Sequence, residues 1–250
     1  MQPAVIVTRP AEQAGPLLQA LQQRGYATRH LPLMDIVPLA DDDAAATSGL
    51  RARLMNLDEY RAVIVISVNA ATIGLEWLDR YWPQPPLGIE FYAVGPSTAE
   101  VLEQARLTVH CPAERFDSEG ILALPGLQPE VIAGQKVLLW RGIGGREKLA
   151  SVLRERGAQV DYAELYERRE QHYSADQWQA ALQDKPLLML SSTQALDIVC
   201  AQVPDLPQRI QALILPAERS ADMARERGFT RVLVAASARD EHMLACLPPG

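Results

Sequence analysis

The chain has 250 residues, 48% hydrophobic and 22% charged, with a net charge of −7 at pH 7. That length exceeds a usual single domain of about 100–150 residues, so two domains are expected. The acidic balance excludes a broad basic face for nucleic acid or an anionic membrane; an anionic small molecule needs only a local site of amides, hydroxyls and arginines.

Cys111, Cys200 and Cys246 are far apart and form no C-x-x-C, and His30, His110, His172 and His242 are equally scattered. Neither a disulfide framework nor a metal site is expected, and the pattern suits a reducing cytosol. The opening MQPAVIVTRP lacks the basic-then-apolar order of an export signal. No apolar run approaches the roughly 20 residues needed to cross a bilayer.

Strand-like and helix-like segments alternate. AVIVT (4–8) is a β-branched run, followed by an amphipathic stretch with Leu17, Leu18 and Leu21 on one face and Gly25 as its stop. RAVIVIS (61–67) precedes a helix over Ala70–Tyr81, and FYAV (91–94) one over 97–105. KVLLW (136–140) precedes a helix over 145–156, stopped by Gly157. LLML (187–190), ALIL (212–215) and RVLVA (231–235) complete the strands. Such alternation with buried apolar strands predicts an α/β fold with parallel sheets.

The order repeats. Arg9 and Arg141, Leu21 and Leu153, Gly25 and Gly157, and Leu33 and Leu165 are all offset by 132 residues. Internal duplication accounts for a constant offset better than the general self-similarity of α/β chains. Two segments, 31–45 with its run of three aspartates at 41–43 and the charged, polar 165–174, follow the repeated β-α-β unit at equivalent places. Read as crossings, they predict a cleft between domains, a common ligand site.

In open parallel sheets, ligands bind beyond the carboxyl ends of the strands. Here those ends carry Thr8 and Arg9, Ser67 and Asn69, Ser97 and Thr98, Ser191, Ser192 and Thr193, and Ser220. Each site joins a polar side chain to the free N–H groups of a helix N-terminus, which suits carboxylates or phosphates. Simple helix capping is the competing reading of every one of them. RGIGGRE (141–147) is a Gly-rich turn that could cradle an anion, but it has no nucleotide fingerprint. Arg141 and Arg146 could pair with carboxylates, or simply dress the first helical turn. Tyr166 stands at the second crossing; its hydroxyl is a candidate general acid, with packing as the alternative. No nucleophile–His–acid arrangement stands out.

VTRP (7–10), VISVNAA (65–71), YAVGPSTA (92–99), then RGIGGREKL (141–149) and RGAQVDYAELYER (156–168), in this order, resemble the uroporphyrinogen-III synthase family over essentially the whole chain. The resemblance implies two flavodoxin-like α/β domains joined by a two-stranded connector. Residues 1–36 plus 168–250 would form a discontinuous domain and 37–167 an inserted one. It implies a cytoplasmic monomer without cofactor or metal, acting on hydroxymethylbilane, a linear tetrapyrrole with eight carboxylates. The enzyme would expel water, close the ring and invert the last pyrrole, with a transient contact to hydroxymethylbilane synthase. Tyr166 matches the family's tyrosine for hydroxyl departure. Thr98, Ser191 and Ser220 match cleft hydroxyls, and Arg9, Ser67, Asn69, Ser97, Ser192 and Arg141 are further contact candidates. The alternative is a non-catalytic, two-lobed protein that binds a small anion.

Overall fold

The computed structural model describes residues 2–39, 44–145 and 147–247. The chain divides into two units, 1–35 with 169–250, and 36–168. The first opens with β1 (Val5–Val7), α1 (Ala11–Gln23) and β2 (Thr28–His30), and β3 (Met34–Pro38) leads to the second. There follow α2 (Ala44–Met55), β4 (Ala62–Val65), α3 (Val68–Tyr81), β5 (Glu90–Ala93), α4 (Pro96–Gln104) and β6 (Val109–His110). The second unit continues with α5 (Ser118–Leu122), α6 (Pro129–Ile132), β7 (Lys136–Gly142) and α7 (Lys148–Glu155). β8 (Gln159–Glu170) leads back to α8 (Ala175–Ala181), β9 (Leu187–Met189), α9 (Thr193–Gln202) and α10 (Leu206–Arg209). β10 (Ala212–Pro216), α11 (Glu218–Glu226), β11 (Val232–Ala235) and α12 (Asp240–Ala245) end the described chain.

In the first unit the sheet runs β2-β1-β9-β10-β11, every neighbouring pair parallel. In the second it runs β3-β8-β7-β4-β5-β6, parallel from β8 to β6. With β1 and β2 set against β7 and β8, five strands follow the same order in each sheet, and the second sheet adds β3 as a sixth, edge strand. Two of the four pairs at the 132-residue offset occupy matching places. Leu21 and Leu153 are both fully buried. Gly25 (φ 80°) and Gly157 (φ 88°) both adopt the left-handed conformation that ends a helix without a Cβ clash.

The two segments read from sequence as connections each contain strand. β3 lies within the first and β8 runs into the second. The Leu39 N–H donates to the Leu165 carbonyl at 2.9 Å, and the Gln171 N–H to the Leu33 carbonyl at 3.0 Å. The numbering falls along one strand as it rises along the other, so β3 is an antiparallel edge on an otherwise parallel sheet. The charged end of β8, residues 168–170, is exposed, so it lacks the apolar pattern that marks a strand in sequence. The three aspartates at 41–43 lie outside the described residues.

Alternation along the strands builds each core. Ala62 and Ile64 face one hydrophobic cluster of the second unit, and Val63 and Val65 the other. In the first unit Val5 and Val7 face one cluster and Ile6 the other, and Leu213 and Leu215 alternate with Ala212 and Ile214 in the same way. Both faces of each sheet are therefore covered, which is why the strands read as continuous apolar runs. Each fully buried Val, Leu or Ile contributes roughly 1.5–3 kcal/mol. The polar groups are thereby left to the strand ends.

Candidate functional site

In the second unit the carboxyl ends of β4 and β7 meet β8 around Tyr166. Ser67 follows β4, caps α3 by accepting from the Ala70 N–H (3.2 Å), and shares a 3.1 Å hydrogen bond with the Tyr166 hydroxyl. Arg168, two residues along β8, donates from Nη2 to that hydroxyl at 3.4 Å and lies 5.7 Å above the ring. The i, i+2 spacing puts both side chains on one face of the strand. Register slips between Arg141, opposite Glu164, and Gly142, opposite Tyr166. A Cβ on Gly142 would come within 2.5 Å of the Tyr166 ring, so glycine there admits the aromatic side chain. Tyr166 is 0% exposed. Among the described residues its hydroxyl is hydrogen-bonded to Ser67 and Arg168.

A pocket of about 390 Å³ opens at the same strand ends, lined by Arg141, Arg168, Phe116, Asp117 and the Gly144–Gly145 turn over a floor that includes Ile66 and Leu139. The two arginines differ. Arg141 is 3% exposed, donates from Nη1 to the Glu147 carboxylate at 2.9 Å, and stacks 4.7 Å from the Tyr162 ring. Hydrogen bonds from Tyr162 and Arg141 hold the Glu147 carboxyl below the usual carboxylate range. Arg141 is thus largely engaged by its own unit. Arg168 is exposed and has no carboxylate partner among the described residues. The Asp117 carboxylate is occupied by the Glu119 and Gly120 N–H groups, both 2.9 Å, and by Arg115 Nε at 2.8 Å. Arg146 lies outside the described residues.

The remaining expected residues of this unit sit at the strand ends with different exposure. Asn69 is half-buried in the first turn of α3. Ser97 is exposed in the first turn of α4, while Thr98 lies on the buried face of that helix with Ala99 and Leu102. Neither Ser97 nor Thr98 lines the pocket.

In the first unit the strand ends carry the rest. Thr8 Oγ1 donates to the Met189 carbonyl at 2.9 Å, tying β1 to β9. The Arg9 guanidinium is held by the Asp240 carboxylate and the Ala238 carbonyl. Ser191 is half-buried, and Ser192 caps α9 by accepting from the Ala195 N–H at 3.1 Å. Ser220 is buried and shares a 2.8 Å hydrogen bond with Thr193 Oγ1. Ser67, Ser192, Arg9 and Ser220 thus all have structural partners beside any ligand they take. Two residues were not singled out from sequence. Arg168 carried a signal in its spacing from Tyr166; Phe116 carried none, because its place follows from the path of the loop after β6.

Among the described residues no group of histidine, cysteine and carboxylate side chains could hold a metal ion, and no helix is long and apolar enough to cross a membrane.

Comparison with known proteins agrees with this architecture. The family model described as uroporphyrinogen-III synthase HemD matches residues 16–245. The uroporphyrinogen-III synthase of Escherichia coli is 30% identical over 256 residues, covering 98% of this chain and 99% of its own. That of Proteus mirabilis is 37% identical over 171 residues, 66% of this chain and 80% of its own. Among solved structures, the Helicobacter pylori uroporphyrinogen-III synthetase superposes with a TM-score of 0.60 at 18% identity, covering 98% of this chain and 97% of that one. A mutant Thermus thermophilus uroporphyrinogen III synthase does so at 0.58 and 13%, covering 97% and 96%. The structural likeness establishes the fold, and the chain-long sequence match establishes the lineage: this chain belongs to the uroporphyrinogen-III synthase HemD family.

Proposed function

We propose that this chain carries out the reaction of its family in the cytoplasm, as a cofactor-free monomer that converts hydroxymethylbilane to uroporphyrinogen III. The observation that carries the reading is the family match across residues 16–245. The shared order of five strands in each sheet also supports an internal duplication.

The chemistry asks little of the protein beyond position. A pyrrole nitrogen of the substrate expels the terminal hydroxyl, leaving an azafulvene that cyclises unaided to the wrong isomer. Holding one conformation thus matters more than strong acid–base catalysis. The leaving hydroxyl needs one proton to depart as water. Tyr166 is its source in this reading, relayed through Ser67 Oγ, because the phenol is buried and Ser67 only half-buried. The closing pyrroles return a proton when they regain aromaticity, so the cycle balances without a cofactor. Arg168 keeps the phenol aimed at Ser67 and opposes the charge left on it. Hydroxyls and helix N-termini at the carboxyl edge of each sheet receive the substrate carboxylates.

The test is a coupled assay that supplies freshly made hydroxymethylbilane and separates type I from type III product. Type III product is expected. Type I alone, at the spontaneous rate, would mean a protein that binds an anion without catalysis. Whether the preceding synthase hands over the substrate by transient contact is read from the same assay, as a change in type III yield when that enzyme is held apart by a membrane.

A further inference from the structure

We infer that the pocket of the second unit is a pyrrole-ring subsite in which Phe116 is the stacking wall and Arg168 the carboxylate hook. The inference rests on the functional reading above and assigns it a substrate-contacting residue.

Phe116 is one of few large apolar side chains left in solvent, 48% exposed, and it lines the pocket instead of standing alone on the surface. A ring so placed gains by being covered, since aromatic faces remain costly to hydrate. Its Cβ approaches Gly95, where a built Cβ would lie 3.6 Å away, so backbone and not a side chain backs it on that flank. The floor beneath includes Ile66, Val94, Leu139 and Leu149. The lining also includes Arg168, which lacks a carboxylate partner among the described residues, and the Gly144–Gly145 turn. The acidic group at the rim, Asp117, is occupied by its own helix and by Arg115. A flat apolar wall beside a guanidinium that has no carboxylate partner among the described residues suits a flat ring that carries carboxylates, which describes one pyrrole of the substrate. A nucleotide would fit less well, since the turn has no phosphate fingerprint.

Because the wall grips the ring before and during ring closure alike, its loss should weaken binding and loosen control of product, with little effect on the chemical step. The experiment compares wild type, Phe116→Ala and Phe116→Trp with hydroxymethylbilane as the probe, reading KM, kcat, the type I fraction and the thermal midpoint. For Phe116→Ala we expect KM to rise about tenfold, as loss of one aromatic contact implies. We also expect kcat within about twofold, more type I product and an unchanged midpoint. Phe116→Trp should restore wild-type KM. An unaltered KM and product ratio in a folded Phe116→Ala protein overturns the subsite while leaving the functional reading intact. A wild type that makes no type III product overturns both. Lowered kcat with unchanged KM assigns Phe116 to the chemical step and likewise overturns the subsite.

Discussion

At the scale of single residues, Tyr166 shows how burial and reactivity coexist. Its ring is packed as core while its hydroxyl is bonded to Ser67 and Arg168. Replacement by phenylalanine keeps the packing and removes only the hydroxyl. Stability should fall by no more than about 3 kcal/mol, the usual net value of the two hydrogen bonds lost. If the hydroxyl supplies the proton, kcat should drop at least about tenfold, at the modest end for a general acid. Steady-state kinetics beside circular dichroism checks this, and full activity in Tyr166→Phe would remove the residue from its role. Arg9, a contact candidate by its position after β1, has its guanidinium held by Asp240 and Ala238 beside any ligand it takes.

At the scale of elements, the strand ends combine structural and functional demands. Gly142→Ala would drive a methyl group into the Tyr166 ring, whose surroundings are backbone and core and cannot easily yield. Overpacking of this kind typically costs about 1–3 kcal/mol. It should also lower kcat, because the phenol would leave its hydrogen-bonding position. A lower urea midpoint with unaltered kcat would show that the ring's placement does not matter to turnover. Ser192 offers a contrast in the other unit. As the N-cap of α9 it accepts from the Ala195 N–H, and Ser192→Ala should cost about 1 kcal/mol. Asn or Asp at 192 should restore the urea midpoint if capping is its role; rescue of stability without rescue of activity would add a substrate contact.

At the scale of the whole molecule, buried phenols set the alkaline limit. Burial first, then hydrogen bonds to Asp161 and Glu90, push the Tyr60 and Tyr92 hydroxyls well above the usual tyrosine value. Burial, with the Asp35 charge adding to it, raises Tyr173 in the other unit. Because the folded values lie above the unfolded one, these groups contribute stability that is fully present below about pH 10 and is lost as pH rises through the folded values. The urea midpoint should therefore decline above about pH 10, and less steeply in a Tyr60→Phe, Tyr92→Phe protein. A decline of equal slope in both proteins would assign the effect elsewhere.

Periodicity made the α/β class legible, because strands buried on both faces must be continuously apolar and helices between them amphipathic. The strand ends were legible too, since Ser67 and Ser192 sit where helix N-caps are needed, whatever else they do. Short strands such as Thr28–His30 and Val109–His110 escaped, having too few residues to show a period. The charged end of β8 escaped because it faces solvent. Folding alone decided which hydroxyls meet which cations. Chain position could nominate Tyr166, but its pairing with Ser67, 99 residues away, and the opening of a pocket beside Phe116 and Arg168 arise only when β4, β7 and β8 align. The reason is physical: local propensity acts over a few residues, whereas a site is assembled from the ends of strands that are neighbours in space and distant in sequence.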